Sequence, residues 1–202
     1  KRLDFYAGLF LDDTGDGTLG YLSNAEFRMG REAEDEFNET LAPKKADHYV
    51  LPSTLYFLAH DTGAPVTFNP PDFALDIEKT GVLEYRVIPA NFFHRALWYY
   101  EIGGELNQIE DNETIIRKHR ELVYGIWNYI KNSGKYESQN YDLEYVSCIP
   151  GKRESRRLVG DYILTQNDII NQNDFPDTVG YGGWSIDLHA LEGFFSKEQI
   201  NR

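Results

Sequence analysis

The segment with the clearest chemical potential is residues 151–161, GKRESRRLVGD, where cationic side chains crowd together in an otherwise acidic chain. If the segment is extended, Arg153 and Arg157 lie on one face while Lys152 and Arg156 lie on the other. Guanidinium groups gathered in this way indicate an anion or a carboxylate network. Two interpretations follow: a site for a carboxylate, a phosphate or a developing oxyanion, and a salt-bridge cluster that ties strands together.

A second candidate is the pair Asp187 and His189 in the aromatic, glycine-rich run FPDTVGYGGWSIDLH. On a strand these two side chains point the same way, and histidine is the commonest proton carrier near neutral pH. No serine or cysteine nucleophile motif accompanies the pair, and no third metal ligand can be named, so no metal site is predicted. The many carboxylates also leave paired-carboxylate glycoside hydrolysis open, since no spacing among them is distinctive.

A third candidate is the turn DDTGDG at residues 12–17, which follows a run of strand-forming residues and precedes a predicted helix over residues 18–25. A strand, a glycine-rich turn and a helix start place backbone N–H groups where an anionic ligand could meet them. A calcium loop is a less favoured alternative, because its twelfth position is Ser23 where a bidentate glutamate is needed, and a strand rather than a helix precedes it. A polar turn without a ligand is a further alternative.

The composition limits the classes of protein to which this chain could belong. The chain has 202 residues, enough for one large domain or two small ones, and its formal net charge is −13. So negative a chain is a poor partner for nucleic acid. Cys148 is the only cysteine, which rules out an intrachain disulfide, and no apolar run is long enough to span a membrane. No targeting signal is recognisable, so the compartment stays unassigned.

Periodicity indicates an α+β fold, with a mixed, largely antiparallel sheet, one long amphipathic helix and several shorter ones. The long helix is predicted over residues 112–131, where apolar residues recur at steps of three and four, and His119 on that stripe is interpreted as a packing residue. The other predicted elements are strands over 3–12, 53–60, 82–87, 96–102 and 143–149 and helices over 18–25, 31–39 and 165–171.

Several segments together resemble the bacterial FAD-dependent oxidoreductase family, some of whose members are labelled xanthan-lyase-like. The resemblance lies in LFLDDTGDG with GYLSNAEFRMGREAEDEFNE, in WYYEIGGELNQIEDNETI with VYGIWNYIKN, in RESRRLVGDYILTQNDI and in FPDTVGYGGWSIDLH. It implies hydride transfer between a small-molecule substrate and flavin. It also implies two regions: residues 1–30 as a remnant of the Rossmann-type FAD-binding domain and residues 31–202 as a substrate or cap domain.

The resemblance further implies roles for individual residues. Thr14, Gly15, Asp16 and Gly17 would lie near the ribityl or pyrophosphate part of FAD. On the substrate side it implies Arg153, Arg156, Arg157 and Trp184 as substrate-binding residues, with His189 and Asp187 as a catalytic acid–base pair.

The chain also lacks the dinucleotide fingerprint and the closing flavin-domain segment of this family. It is therefore expected to be the middle of a longer enzyme and to be inactive alone. We also expect it to bind FAD weakly, and its expected partners are the missing flavin-domain segments. The alternative is a non-catalytic module that binds carbohydrate on stacking platforms formed by Trp98, Tyr99, Tyr100 and Trp184.

Overall fold

A computed structural model describes residues 2–90, 94 and 100–197. The chain divides into two compact units: the first comprises the residues up to Asp47 together with Ser155–Asn173, and the second comprises His48–Glu154 with the residues from Asp174 onward. The predicted boundary near residue 30 stays a prediction.

Helices and short antiparallel strands are interspersed along the described chain, and the α+β class is confirmed. The helices are α1 (Thr18–Leu22), α2 (Glu34–Phe37), α3 (Asn112–Asn132) and α4 (Gln166–Asn171). The strands are β1 (Phe27–Arg28), β2 (Ser53–Thr54), β3 (Phe57–Asp61), β4 (Glu101–Ile102), β5 (Tyr141–Val146) and β6 (Arg157–Leu158). Single turns of 3₁₀ helix lie at Glu78–Thr80, Val82–Glu84 and Gly193–Phe195.

The first unit is built on the antiparallel pair β1–β6, in which Phe27 lies opposite Leu158. A buried Gly20 in α1 lets this helix approach the pair, because a Cβ there would come within 2.6 Å of the Leu158 side chain. In α4 the predicted start is confirmed: Thr165 and Asp168 form a reciprocal capping box, which satisfies two backbone N–H groups that the first helical turn leaves open.

The second unit holds the main hydrophobic core, and α3 runs through it. Its predicted apolar stripe is buried, with Leu122, Ile126 and Trp127 fully enclosed, and Trp127 packs against Phe57 of β3 at a ring separation of 6.1 Å. Two further antiparallel pairs, β2–β4 and β3–β5, complete this unit. Burial of the stripe accounts for most of the stability of such a helix, since isolated helices are marginal in water.

Several predicted strands are wrong or shorter than expected. Residues 3–12 form no strand; their apolar side chains are exposed, Tyr6 by 94%, because no strand of the described chain lies beside them. Val82–Glu84 is a 3₁₀ turn following Gly81, whose φ of 72° breaks the extended backbone. Residues 53–60 divide into two strands with different partners. Of residues 96–102, those before Tyr100 lie outside the described residues, and the strand covers only Glu101–Ile102.

Candidate functional site

The most unusual polar cluster of the second unit is centred on a glutamate in β4. Glu101 is 3% exposed, and both of its carboxylate oxygens lie about 3 Å from His189 Nδ1, at 2.9 and 3.0 Å. Burial raises the pKa of Glu101, while hydrogen bonding to His189 and the charges of His189 and Arg153 act in the opposite direction. Because burial and these partners act on the pKa of Glu101 in opposite directions, its carboxyl group can bind or release a proton when the charge of its partners changes.

Arg153 supplies a cation to the same carboxylate. Its Nη2 lies 2.9 Å from Glu101 Oε1, the oxygen that has no aligned hydrogen-bond donor among the described residues. The contact is therefore ionic in character rather than a bidentate fork. It offsets part of the cost of burying the Glu101 charge, because a buried ion is tolerated mainly where an opposite charge lies beside it.

Asp187 completes the cluster on the other side of the imidazole, with its Oδ2 3.2 Å from His189 Nε2. The His189 side chain is 11% exposed and that of Asp187 is 28% exposed, so accessibility rises from Glu101 through His189 to Asp187. Each ring nitrogen faces a carboxylate, so a protonated ring can donate to both at once. This arrangement can move a proton between an exposed and a buried carboxyl group by way of one imidazole.

Trp184 and Tyr100 differ sharply in exposure. The indole of Trp184 is 82% exposed and makes no hydrogen bond or ring contact with the described residues. Tyr100 is 1% exposed and packs on Phe57 and Phe194, so its predicted use as a stacking platform is wrong. Trp98 and Tyr99, the other two predicted platforms, lie outside the described residues.

Arg156 belongs to the first unit, where its guanidinium lies over two aromatic rings. It is 4.0 Å from the ring centre of Tyr21 and 5.5 Å from that of Phe27, and its Nη1 donates to the backbone carbonyl of Asp16 at 3.2 Å. A cation over aromatic faces contributes about 0.5–2 kcal/mol depending on its desolvation. Arg156 therefore holds the turn that contains Asp16 against the rest of the unit.

Arg157 also lies in the first unit and donates through Nη2 to the carbonyl of Gly30 at 2.6 Å and to Glu32 at 2.9 Å. Burial alone would raise the pKa of Glu32, but hydrogen bonds from its own backbone and from Arg157 hold that pKa below its ordinary value. Arg28 approaches the same carboxylate at 3.5 Å. Arg157 is thus paired with a carboxylate of its own unit, as the salt-bridge interpretation of residues 151–161 requires.

Arg157 is also one wall of a pocket of about 260 Å³. The pocket combines charged residues with apolar ones such as Leu158, Ile163 and Leu164. Its lining carries both signs of charge, and so it does not select strongly for an anion by electrostatics alone.

The turn at residues 12–17 is organised by the carboxylate of Asp12. This carboxylate accepts hydrogen bonds from the Thr14 hydroxyl at 2.6 Å, the Thr14 N–H at 3.1 Å and the Gly20 N–H at 2.8 Å. The Thr14 bond first, and then the Gly20 N–H, lower the pKa of Asp12. Gly15 and Gly17 have φ angles of 79° and 60°, which favour glycine at both positions.

The side chain of Asp16 is oriented by a serine of residues 151–161. The Ser155 hydroxyl donates to Asp16 Oδ1 at 2.8 Å. Around Gly15 there is open space, because a Cβ built there meets no atom within 4 Å. Among the described residues, the N–H groups of Gly15 and Gly17 donate to no protein acceptor. The turn thus presents a carboxylate and backbone donors to its surroundings.

The structure brings three of the predicted site residues together: Arg153, Asp187 and His189 share one cluster. Its central residue, Glu101, was not predicted. The signal for it was present, since an acidic residue ends the apolar run ALWYY just before Gly103 and Gly104. A carboxylate in such a run is expected to be buried, so it must be paired with a cation or protonated. Periodicity alone does not show which residue is its partner.

Among the described residues, no group of three or more histidine, cysteine, aspartate or glutamate side chains could hold a metal ion. None of the helices described is both long enough and apolar enough to cross a bilayer.

The chain was matched against family models, curated proteins and solved structures. The model of the family described as FAD dependent oxidoreductase matches residues 1–201. No curated protein and no solved structure matches the chain.

Proposed function

This chain belongs to the FAD dependent oxidoreductase family, and on that premise we propose that it is part of an enzyme passing a hydride between a small-molecule substrate and flavin. The observation that carries the acid–base part of the proposal is the Glu101–His189–Asp187 cluster, whose accessibility decreases from one carboxyl group to the other. Oxidation of an alcohol or amine releases a proton together with the hydride, so such an enzyme needs a group that accepts it.

The turn at residues 14–17 fits the cofactor that the family name implies. Bound FAD would supply a two-electron acceptor or donor for hydride. We assign Asp16 to its polyhydroxyl chain, since a carboxylate accepts from hydroxyl donors but repels phosphate. The unengaged N–H groups of Gly15 and Gly17 suit its anionic or carbonyl oxygens, while Thr14 shapes the turn through its bonds to Asp12. The chain alone is proposed to hold FAD weakly, because it carries no dinucleotide fingerprint.

In the proposed reaction, Asp187 and His189 accept and store the proton that the substrate releases. Asp187 is the most exposed carboxylate of the cluster, so it accepts the proton of the substrate hydroxyl or amine. His189 Nε2 lies within reach of Asp187, and the opposite nitrogen faces Glu101, so the proton can be stored on the imidazole or passed inward. Arg153 keeps the buried carboxylate from accumulating uncompensated negative charge.

Substrate binding is proposed for Arg153, Arg156, Arg157 and Trp184. Arg157 has a pocket beside it, and Trp184 presents a wide aromatic surface on which a ring or a sugar face could stack. Arg156 and Arg157 also stabilise the first unit through their own contacts. Arg157→Lys is therefore expected to lower the thermal midpoint, and a substrate role is distinguished by a rise in KM that persists well below that midpoint, where the variant is folded.

The test uses the full-length product of the gene that encodes this chain. We expect it to purify with bound flavin, released on denaturation. His189→Gln should slow substrate-dependent flavin reduction about 10²-fold or more at unchanged flavin content, as loss of a general acid–base group does. His60→Gln is the matched control, because His60 also faces a carboxylate, Glu144 at 3.8 Å, but at an exposed position. Purification without flavin would refute the oxidoreductase assignment; an unaltered rate in His189→Gln would refute the acid–base role.

The second candidate is a carbohydrate-binding module, and the exposed indole of Trp184 is the observation in its favour. It predicts retention of the chain on immobilised glycans and loss of that retention in Trp184→Ala. The oxidoreductase proposal predicts no such retention by the chain itself.

A further inference from the structure

The segment that follows His189 packs against β4 at two glycines with no room for a side chain. A Cβ at Gly104 would lie 2.3 Å from the backbone oxygen of Leu191, and one at Gly193 would lie 2.0 Å from that of Glu101. Both values are below the closest approach that real Cβ atoms make. Residues 191–193 therefore touch the backbone of β4 and of the turn after it.

This close packing sets the register of His189 against Glu101. Only four positions separate His189 from Gly193, and the Gly193 contact is with the carbonyl of Glu101 itself. Gly193 has a φ of 56°, and its N–H donates to the carbonyl of Ala190 at 2.8 Å, so a tight turn links the two contacts. A shift of this turn would move the imidazole relative to the buried carboxylate.

Arg86 donates two hydrogen bonds to the backbone of that turn. Its Nε donates to the carbonyl of Phe194 at 3.1 Å, and its Nη2 donates to the carbonyl of Gly193 at 3.0 Å. Phe194 is fully buried and packs edge-on against Tyr100, the residue before Glu101, with the ring centres 5.4 Å apart. The turn is thereby tied both to Arg86 and to β4.

We propose that Arg86 is a positioning residue for the Glu101–His189 contact, acting through the turn at Gly193 and Phe194. The acceptors of Arg86 are backbone carbonyls, so its effect on His189 is transmitted by geometry. A planar guanidinium can donate to two neighbouring carbonyls from one rigid group, whereas the single nitrogen of a lysine cannot reproduce both directions. The importance of this contact for turnover rests on the proposed function; the contact itself does not.

The test observes the proton shared between His189 Nδ1 and Glu101 in the ¹⁵N-histidine-labelled chain by NMR. A proton held between an imidazole and a carboxylate resonates far downfield of the amide region. We expect this signal in the unmodified chain, and we expect it to be lost or broadened in Arg86→Met and Arg86→Lys. Gly193→Ala should have the same effect, because its Cβ would collide with the Glu101 carbonyl.

Tyr85→Phe is the matched control. The Tyr85 hydroxyl donates to the carbonyl of Phe195 at 3.0 Å, so this variant removes a hydrogen bond to the next residue of the same turn. We expect it to lower the thermal midpoint as Arg86→Lys does while leaving the downfield proton unchanged. Arg86→Lys keeps the charge and most of the packing, so it remains informative if Arg86→Met does not fold.

Two results would overturn the proposal: an unchanged downfield signal in folded Arg86→Lys, or equal loss of that signal in Tyr85→Phe. Either result would reduce Arg86 to general stabilisation of the turn. A failure of the proposed function is seen separately, as absence of flavin in the full-length protein with the NMR result intact. If both proposals hold, Arg86→Lys in the full-length enzyme lowers kcat about tenfold or more with little change in KM.

Discussion

His119 makes the stability of the second unit depend on pH. It lies on the buried stripe of α3 with no exposed surface, and neither ring nitrogen has an aligned hydrogen-bond partner among the described residues. Burial lowers its pKa from 6.5 to about 4; the backbone of Ser53 lies near enough to oppose this slightly, without the alignment of a hydrogen bond. The imidazole is thus neutral in the folded chain where it would be charged in the unfolded one.

The size and sign of the effect follow from linkage. The unfolded chain binds a proton at His119 below its ordinary pKa of 6.5, and the folded chain does so only below about 4. His119 therefore does not reduce the free energy of unfolding above about pH 6.5. Below that pH, the free energy of unfolding falls as the pH drops toward 4. A difference of about 2.5 pKa units at 1.36 kcal/mol per unit gives a loss of about 3 kcal/mol.

The perturbation is His119→Met, which replaces the ring with an apolar side chain that cannot titrate. Urea unfolding between about pH 7.5 and about pH 4.5 can be followed by the fluorescence of Trp127, which is buried on the same helix. We expect the stability of the variant, measured relative to the unmodified chain, to rise steadily as the pH falls. Carboxylates titrate in both proteins, so the difference between the two isolates His119.

His60→Met is the control, since the His60 side chain is 49% exposed and should leave the pH dependence nearly unchanged. The reasoning is refuted if His119→Met and the unmodified chain lose stability in parallel over this range. An NMR titration midpoint of His119 near 6.5 in the folded chain would refute it equally.

Three further predictions concern the scaffold. Lys131→Met removes an ammonium whose three N–H groups are shared among four backbone carbonyls at 2.7–3.1 Å, and it should lower the free energy of unfolding by about 2 kcal/mol in a urea titration. Gly125→Ala should destabilise α3 by about 1–2 kcal/mol despite a helix-propensity gain of about 1 kcal/mol, because its Cβ would lie 2.2 Å from the Leu75 carbonyl oxygen; a higher thermal midpoint would contradict this. The hydrogen bonds of Thr165 lower the pKa of Asp168 to about 2, so Asp168→Asn should be less stable than the unmodified chain above about pH 4, with the two urea midpoints converging as the pH approaches 2.

Local signals predicted some elements well. The apolar period predicted α3 to within one residue at its end, and the helix predicted over residues 165–171 matches α4 and its N-cap Thr165. Strands were harder, since a strand exists only where a partner pairs with it. The run at residues 3–12 has strong strand propensity yet pairs with nothing in the described chain.

The site shows the same division. Sequence reasoning selected Asp187 and His189 from their spacing and Arg153 from local charge density. It could not find Glu101, which lies 88 positions from His189 and is brought to it by the packing of Gly193 and Phe194. Long-range contacts of this kind depend on tertiary packing, and no local pattern records them.

The exposed apolar side chains of residues 3–11 affect the tendency of the chain to self-associate. Leu9 is 92% exposed and Leu11 89%, in a segment whose composition favours strand pairing with another copy of itself. The formal charge of −13 keeps copies apart at low ionic strength, but at about 0.15 M salt the screening length shrinks to about 8 Å. Added salt therefore weakens the repulsion that opposes self-association, and the acidity of this chain acts in part as its protection against aggregation.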